Sequence, residues 1–212
     1  MERLKLYLGG SLFTEAERDM REKEYKEMQV QLGDLVEVYS PMHNDEINDK
    51  TKEINSEDIF TQDTREVIQS DFFYCNMEEI EKDPGLAMEV GIATGCNIML
   101  DMMGKVLDVV IKKHKSLEHN DFGTSLKDEI MGSMLETIPA KEIFVNITDI
   151  RLNHKNPLVG LKKDASVNQF CLGGLEVMDA KFGQGSKETV GKIKQALTDF
   201  EEIYKSLVEE NK

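Results

Sequence analysis

The sequence predicts an α/β fold: a doubly wound parallel sheet of about five strands with helices on both faces, plus a mostly helical insertion at about 104–165. Two observations carry that expectation. Strand-like and helix-like segments alternate from residue 4 to residue 101, with turn residues between them. A long amphipathic segment then closes the chain from residue 186. At 212 residues the chain is read as a single domain carrying its insertion.

Residues 4–8 form a strand, ended by Gly9-Gly10-Ser11. Thr14 with Glu17 three positions on has the capping-box form and opens a charged helix reaching Leu32. On that helix Phe13, Ala16, Met20, Tyr25, Met28 and Leu32 share much of one face. Residues 35–39 read as a second strand and 41–55 as a polar loop. Ser56-Glu57-Asp58 starts a helix with apolar positions Ile59, Phe60, Val67 and Ile68. A third strand spans 71–75, a helix 84–95 opens on Asp83-Pro84-Gly85, and 97–101 is expected to be the fourth strand. Within the insertion, 106–117 and 125–138 look helical and 143–150 extended. Residues 170–175 supply a fifth strand. A helix over 186–208 presents Val190, Ile193, Leu197, Phe200, Ile203 and Leu207 to the sheet. In parallel sheets of this kind ligands bind beyond the carboxyl ends of the strands, so the loops after the early strands are where chemistry is sought.

Composition narrows the function classes. The 41 acidic against 26 basic residues leave a net charge of -15, which repels phosphate backbones and anionic lipid, so neither nucleic acid nor membrane is expected as a partner. Cys75, Cys96 and Cys171 are odd in number, without a CxxC pair or a His at metal-ligand spacing. No apolar run reaches the roughly 18 residues of a membrane span. The expectation is a soluble cytoplasmic protein with no metal and no cofactor. Gly9-Gly10-Ser11 is too short for a dinucleotide fingerprint, and neither a P-loop nor G-x-S-x-G occurs. His43, His114, His119 and His154 all lie in polar contexts.

Glu89 is the lone charge in the apolar stretch Gly85-Leu-Ala-Met-Glu89-Val-Gly91, about one turn inside its helix. There the helix dipole favours an ionised carboxylate by some tenths of a kcal/mol up to about 1. On composition alone an exposed Glu, favoured early in a helix, is the commoner explanation. Asp83 before Pro84 is a favourable N-cap, Asp63 is mid-helix, and Tyr7 in a first strand is ordinary core. Taken singly, these residues specify no chemistry.

Their order and spacing are more specific. Tyr7-Leu-Gly-Gly-Ser-Leu-Phe-Thr14, Asp63 eight residues before Asp71, and Asp83-Pro-Gly-Leu-Ala-Met-Glu89-Val-Gly91 together resemble the nucleoside 2-deoxyribosyltransferase family over residues 4–101. The resemblance implies a flavodoxin-like sheet and a site in which Glu89 is the nucleophile at the anomeric carbon of deoxyribose. Tyr7 would orient Glu89, and Asp63 would protonate the departing base. Asp83 would bind a sugar hydroxyl, and Gly9 and Gly10 would belong to the substrate-binding loop. Asn168, in Asn168-Gln-Phe-Cys-Leu-Gly173, is similar to an Asn that in some members reaches a neighbouring subunit's sugar site. The implied partners are a 2'-deoxyribonucleoside, a free nucleobase and further copies of the chain, as a dimer or hexamer.

The chemistry is consistent with that assignment, because an N-glycosidic bond breaks through an oxocarbenium-like state that needs negative charge below C1' and a proton donor at the base. Transfer also requires that water be kept out, so a lid is expected from 39–55 or from the insertion. Phe73, Met77, Met42 and Met88 are candidates for a base pocket, although such residues are more often plain core. Two other readings stay open. One is a deoxynucleoside 5'-monophosphate N-glycosidase, disfavoured by Glu15, Glu17 and Asp19 near the first loop. The other is a non-catalytic nucleotide-binding domain.

Overall fold

The computed structural model describes residues 3–48, 55–77, 83–114, 122–148 and 168–210. The first half runs β1 (Leu4–Gly9), α1 (Glu15–Leu32), β2 (Val36–Tyr39), α2 (Asp45–Asn48), α3 (Ser56–Gln69) and β3 (Phe72–Asn76). The second runs α4 (Pro84–Lys113), α5 (Phe122–Thr137), β4 (Glu142–Asn146), α6 (Gln169–Val177), β5 (Lys181–Gly183) and α7 (Ser186–Glu210). All strand pairs are parallel and the order is β2-β1-β3-β4-β5. This is the flavodoxin-like arrangement, whose strand order reverses between β1 and β3.

Strand residues alternate between two apolar layers, as the two-residue period of a pleated strand requires. Tyr7, Phe73, Cys75, Ile143 and Val145 pack towards α3, α4 and α6 with Val67, Leu86, Val90 and Leu172. Leu6, Leu8, Phe72, Tyr74 and Phe144 pack the other way, towards α1 and α7, with Met28, Leu32, Val190, Ile193 and Leu197. The capping boxes at Thr14–Glu17 and at Asn55–Asp58 start α1 and α3.

Two strands differ from the sequence expectation. Residues 97–101 are helical, because α4 runs through Gly95 and ends only at Lys113. A glycine stops a helix by adopting a left-handed φ, and among the described residues only Gly33 and Gly185 do so. A short apolar run bordered by Gly reads the same in a buried strand and in a helix. Asn97 keeps a link to the sheet all the same: its amide exchanges two hydrogen bonds, of 2.8 and 2.9 Å, with the backbone of Lys141 just before β4. The fourth strand is therefore Glu142–Asn146, inside the stretch read as insertion. Its Ile143 to Asn146 are all buried, as an interior parallel strand demands. The helical additions to the compact fold are the far half of α4 and α5. Likewise 170–175 is helix α6, with Leu172 and Leu175 buried three apart, and the fifth strand is the shorter Lys181–Gly183.

The expected apolar face of α1 is also revised. Phe13 is 70% exposed, whereas the buried side of the helix is Arg21, Glu24, Met28 and Leu32. By length and composition α4 is the one helix among the described residues able to cross a membrane. Its first half owes that apolarity to the sheet, on which Leu86, Val90, Ala93, Cys96 and Leu100 are buried.

Candidate active site

Glu89 reaches the sheet from the second turn of α4. Its Oε1 accepts a 2.8 Å hydrogen bond from the Tyr7 hydroxyl of β1. The approach is close because position 9 carries no side chain: a Cβ there would lie 3.1 Å from Glu89 Oε2 and 3.1 Å from Leu86 Cδ1. Gly10 serves a different neighbour, since its Cβ would fall 2.0 Å from Arg21 Nη1. The paired glycines thus let a helix settle against the end of β1 on each face of the sheet.

Tyr7, Tyr39 and Phe73 are register partners on three adjacent strands. Their rings stack in a row, with centroids 5.4 Å apart for Tyr7 and Tyr39 and 5.6 Å for Tyr7 and Phe73. The Tyr39 hydroxyl donates to Asp63 Oδ1 at 2.7 Å. Two stacked tyrosines therefore hold two carboxyl groups. Glu89 and Asp63 both line one cavity of about 330 Å³ between α3 and α4, walled by Ile59, Phe60, Met88 and Ile92. Asp83 caps α4 through a 3.1 Å bond from the Leu86 N–H to its Oδ1, and its charge acts on Glu89.

Burial pushes Glu89 from an ordinary 4.5 up to about 8; the Tyr7 hydrogen bond opposes this, and the charges of Asp63 and Asp83 reinforce it. The helix-dipole expectation of an ionised Glu89 is thereby outweighed. A dipole effect near the top of its range, about 1 kcal/mol, is smaller than the loss of water around a carboxylate in this apolar setting. Asp63 is raised as well, by burial first and also by Glu66, while the Tyr39 hydrogen bond lowers it. Tyr7 is raised by burial and by Glu89, so it remains a phenol and a donor.

The structure thus brings Tyr7, Gly9, Asp63, Asp83 and Glu89 together. Gly10 adjoins them but contacts Arg21. Asn168 does not join the cavity within one chain: it is exposed, and its Oδ1 caps α6 through the N–H groups of Phe170 and Cys171. Of the base-pocket candidates, Met88 lines the cavity, Phe73 and Met77 are core, and Met42 is not in the cavity wall. Of the lid expected from 39–55, residues 49–54 lie outside the described residues, and so does the whole of 149–167. Tyr39 was legible only as a strand end, and Ile59 and Phe60 only as core positions. They are 42% and 53% exposed because they face a cavity. A larger cleft of about 730 Å³, lined by Arg3, Lys5, Glu37 and Asp71, opens at the opposite end, where the strands begin. Parallel sheets bind ligands at the other end, beside the paired carboxyls. Among the described residues no group of His, Cys, Asp or Glu is placed to hold a metal ion.

The family model described as nucleoside 2-deoxyribosyltransferase matches residues 6–127, a segment that includes most of β1, all of α3, and Glu89. The chain belongs to the nucleoside 2-deoxyribosyltransferase family. No curated protein matches it significantly. Among solved structures it is similar to a conserved protein from Enterococcus faecalis V583, with 20% identity, a TM-score of 0.57, and coverage of 92% of this chain and 99% of that one. That likeness speaks to the fold. Membership of the deoxyribosyltransferase family assigns a nucleoside-related transferase or glycosidase role on small-molecule nucleosides.

Proposed function

We propose that the protein transfers 2-deoxyribose between nucleobases through a covalent glycosyl-enzyme on Glu89. The observation that carries this reading is the pair of tyrosine-held carboxyl groups facing one apolar cavity. Ionised Glu89 attacks C1' as the C1'–N bond breaks; the bond's electrons pass to the base nitrogen, and Asp63 gives that base a proton. An incoming base then attacks C1', Glu89 leaves as a carboxylate, and Asp63 takes the proton back. Both displacements invert C1', so the net outcome is retention. The apolar walls, Ile59, Phe60, Met88 and Ile92, suit a flat nucleobase. A cytoplasmic, homo-oligomeric salvage enzyme is part of the same proposal.

A nucleotide substrate finds less support. Arg21, the buried cation beneath Gly10, is already paired with Glu24, their nearest atoms 2.6 Å apart, so it brings no net positive charge to the first loop.

The test is chromatography of the protein incubated with a 2'-deoxynucleoside, with and without a second free base. A new deoxynucleoside should form only when that base is added, and Glu89→Ala should lower the rate on the order of 10³-fold or more. Free base accumulating equally in both incubations would make the protein a hydrolase. No turnover of deoxynucleosides or their monophosphates would leave a binding domain.

A further inference from the structure

Asp63 sits at the end of a chain of hydrogen bonds that begins in the loop after β2. The Glu46 N–H donates to Asn44 Oδ1 at 3.0 Å, which turns the amide nitrogen of Asn44 towards Tyr39. That nitrogen donates to the Tyr39 hydroxyl at 2.9 Å, and the hydroxyl donates to Asp63 Oδ1 at 2.7 Å. A phenol has one proton to give. With Asn44 acting as donor on one side, the Tyr39 proton is directed to Asp63. Asn48 ties the loop down through its amide, which donates to the carbonyls of Pro41, Met42 and Asn44. The Tyr39 ring is held as well, by its stack on Tyr7.

Oδ1 of Asp63 therefore receives a fixed donor, and a proton on this carboxyl belongs on Oδ2. We propose that Tyr39, oriented by Asn44, is a positioning residue that makes Asp63 deliver the proton to the departing base from Oδ2 alone and sets how firmly that proton is held. This rests on the glycosyl-transfer reading above. The reaction balances as before: the proton leaves Asp63 Oδ2 for the base nitrogen as the C1'–N bond breaks, and the incoming base returns one to the same oxygen. Tyr39 keeps its own proton throughout.

The titratable groups facing Asp63 are Tyr7 on β1, Tyr39 on β2, Glu66 on its own helix and Glu89 on α4. Tyr39 is the one among them whose hydrogen bond favours the ionised carboxylate of Asp63. Removing its hydroxyl makes Asp63 a weaker acid. The share of enzyme that carries the Asp63 proton at a given pH should then rise.

The experiment compares wild type, Tyr39→Phe and Asn44→Ala by two readouts. The first is a carbon-13 carboxyl NMR titration of Asp63, assigned with Asp63→Asn. The second is the pH profile of base release from 2'-deoxyuridine and 5-fluoro-2'-deoxyuridine, and from purine deoxynucleosides. In Tyr39→Phe the NMR midpoint should rise by about 0.5 to 1 pH unit, and the limb of the base-release profile that tracks Asp63 should rise with it. Asn44→Ala should move both the same way by less. The rate penalty of Tyr39→Phe should shrink for 5-fluorouracil, a more acidic leaving base. Tyr39→Phe keeps the ring and its stack, so a lost fold is not the expected outcome. An unmoved NMR midpoint, or a limb that stays put while the midpoint moves, overturns the proposal. If wild type releases no base from any substrate while the midpoint still rises, the glycosyl-transfer reading has failed and the proton-delivery role falls with it.

Discussion

The molecule holds two glutamates against opposite faces of one sheet, and their surroundings differ in kind. Glu89 on α4 accepts from a single strand tyrosine, Tyr7, and has the acidic neighbours Asp63 and Asp83. Glu24 on α1 also accepts from a strand tyrosine, Tyr74 at 2.7 Å, and from Asn76 and Asn146 at 3.2 and 2.8 Å, all on Oε1. Its Oε2 lies 2.6 Å from Arg21 Nε, an ion pair in which the N–H is not aimed squarely at the oxygen. Glu24 is wholly buried and its charge is matched, so it joins α1 to the ends of β3 and β4. Glu89 is left with like charges and a cavity, an arrangement that costs the folded state and that a positively charged sugar would relieve. Glu24 has its hydrogen-bond donors and an opposite charge supplied by the fold, whereas among the described residues Glu89 has one donor and no opposite charge beside it.

That contrast can be broken experimentally, most strongly at Glu24. Glu24→Leu leaves the Arg21 guanidinium buried without its partner and should lower the unfolding free energy by about 3 to 5 kcal/mol in urea titrations. Retained stability would mean that the pair is not the link described. At Glu89 the sign reverses. Its folded-state pKa lies above the ordinary value, so as pH rises from about 4.5 to about 8 the unfolded chain ionises while the folded one keeps its proton, and stability falls. Glu89→Gln should remove this slope and be more stable than wild type at pH 8 by on the order of 3 kcal/mol, while losing transfer activity. Denaturation curves collected between pH 5 and pH 8.5, a range of roughly the predicted window, decide this; parallel curves for the two proteins would count against a strained Glu89.

Smaller effects sharpen the comparison. Gly10→Ala must displace Arg21 and should cost about 2 kcal/mol, read as a drop in the unfolding midpoint. Tyr7→Phe removes the one hydrogen bond that lowers the Glu89 pKa. The limb of the pH–rate profile set by Glu89 should then move to higher pH, with roughly tenfold lower turnover at neutral pH and an unchanged fold.

Glu89, Asp63, Asp83 and Tyr7 could be singled out in the sequence only together, because their order and spacing resemble the family's; singly, a strand residue, a mid-helix Asp, an N-cap and a Glu early in a helix point to no chemistry. Tyr39 was not singled out, since its partners Asp63 and Asn44 depend on how β2 lies beside β1. The core face of α1 was misread for a related reason. Hydrophobic periodicity counts Arg21 and Glu24 as surface, and only the arrival of Tyr74, Asn76 and Asn146 makes their burial possible.

From the sequence alone follow the alternation that makes an α/β sheet, the caps that start α1 and α4, and the motif that marks the family. These depend on neighbours within a few turns or on side-chain identity. Tertiary structure alone decided that 97–101 continues a helix while 142–146 takes the sheet position. A short apolar run satisfies its backbone equally well as helix or as strand, and only the hydrogen-bonding edge offered by β3 selects between them. The upward direction of the Glu89 pKa belongs to the same level, because desolvation is a property of everything packed around a group.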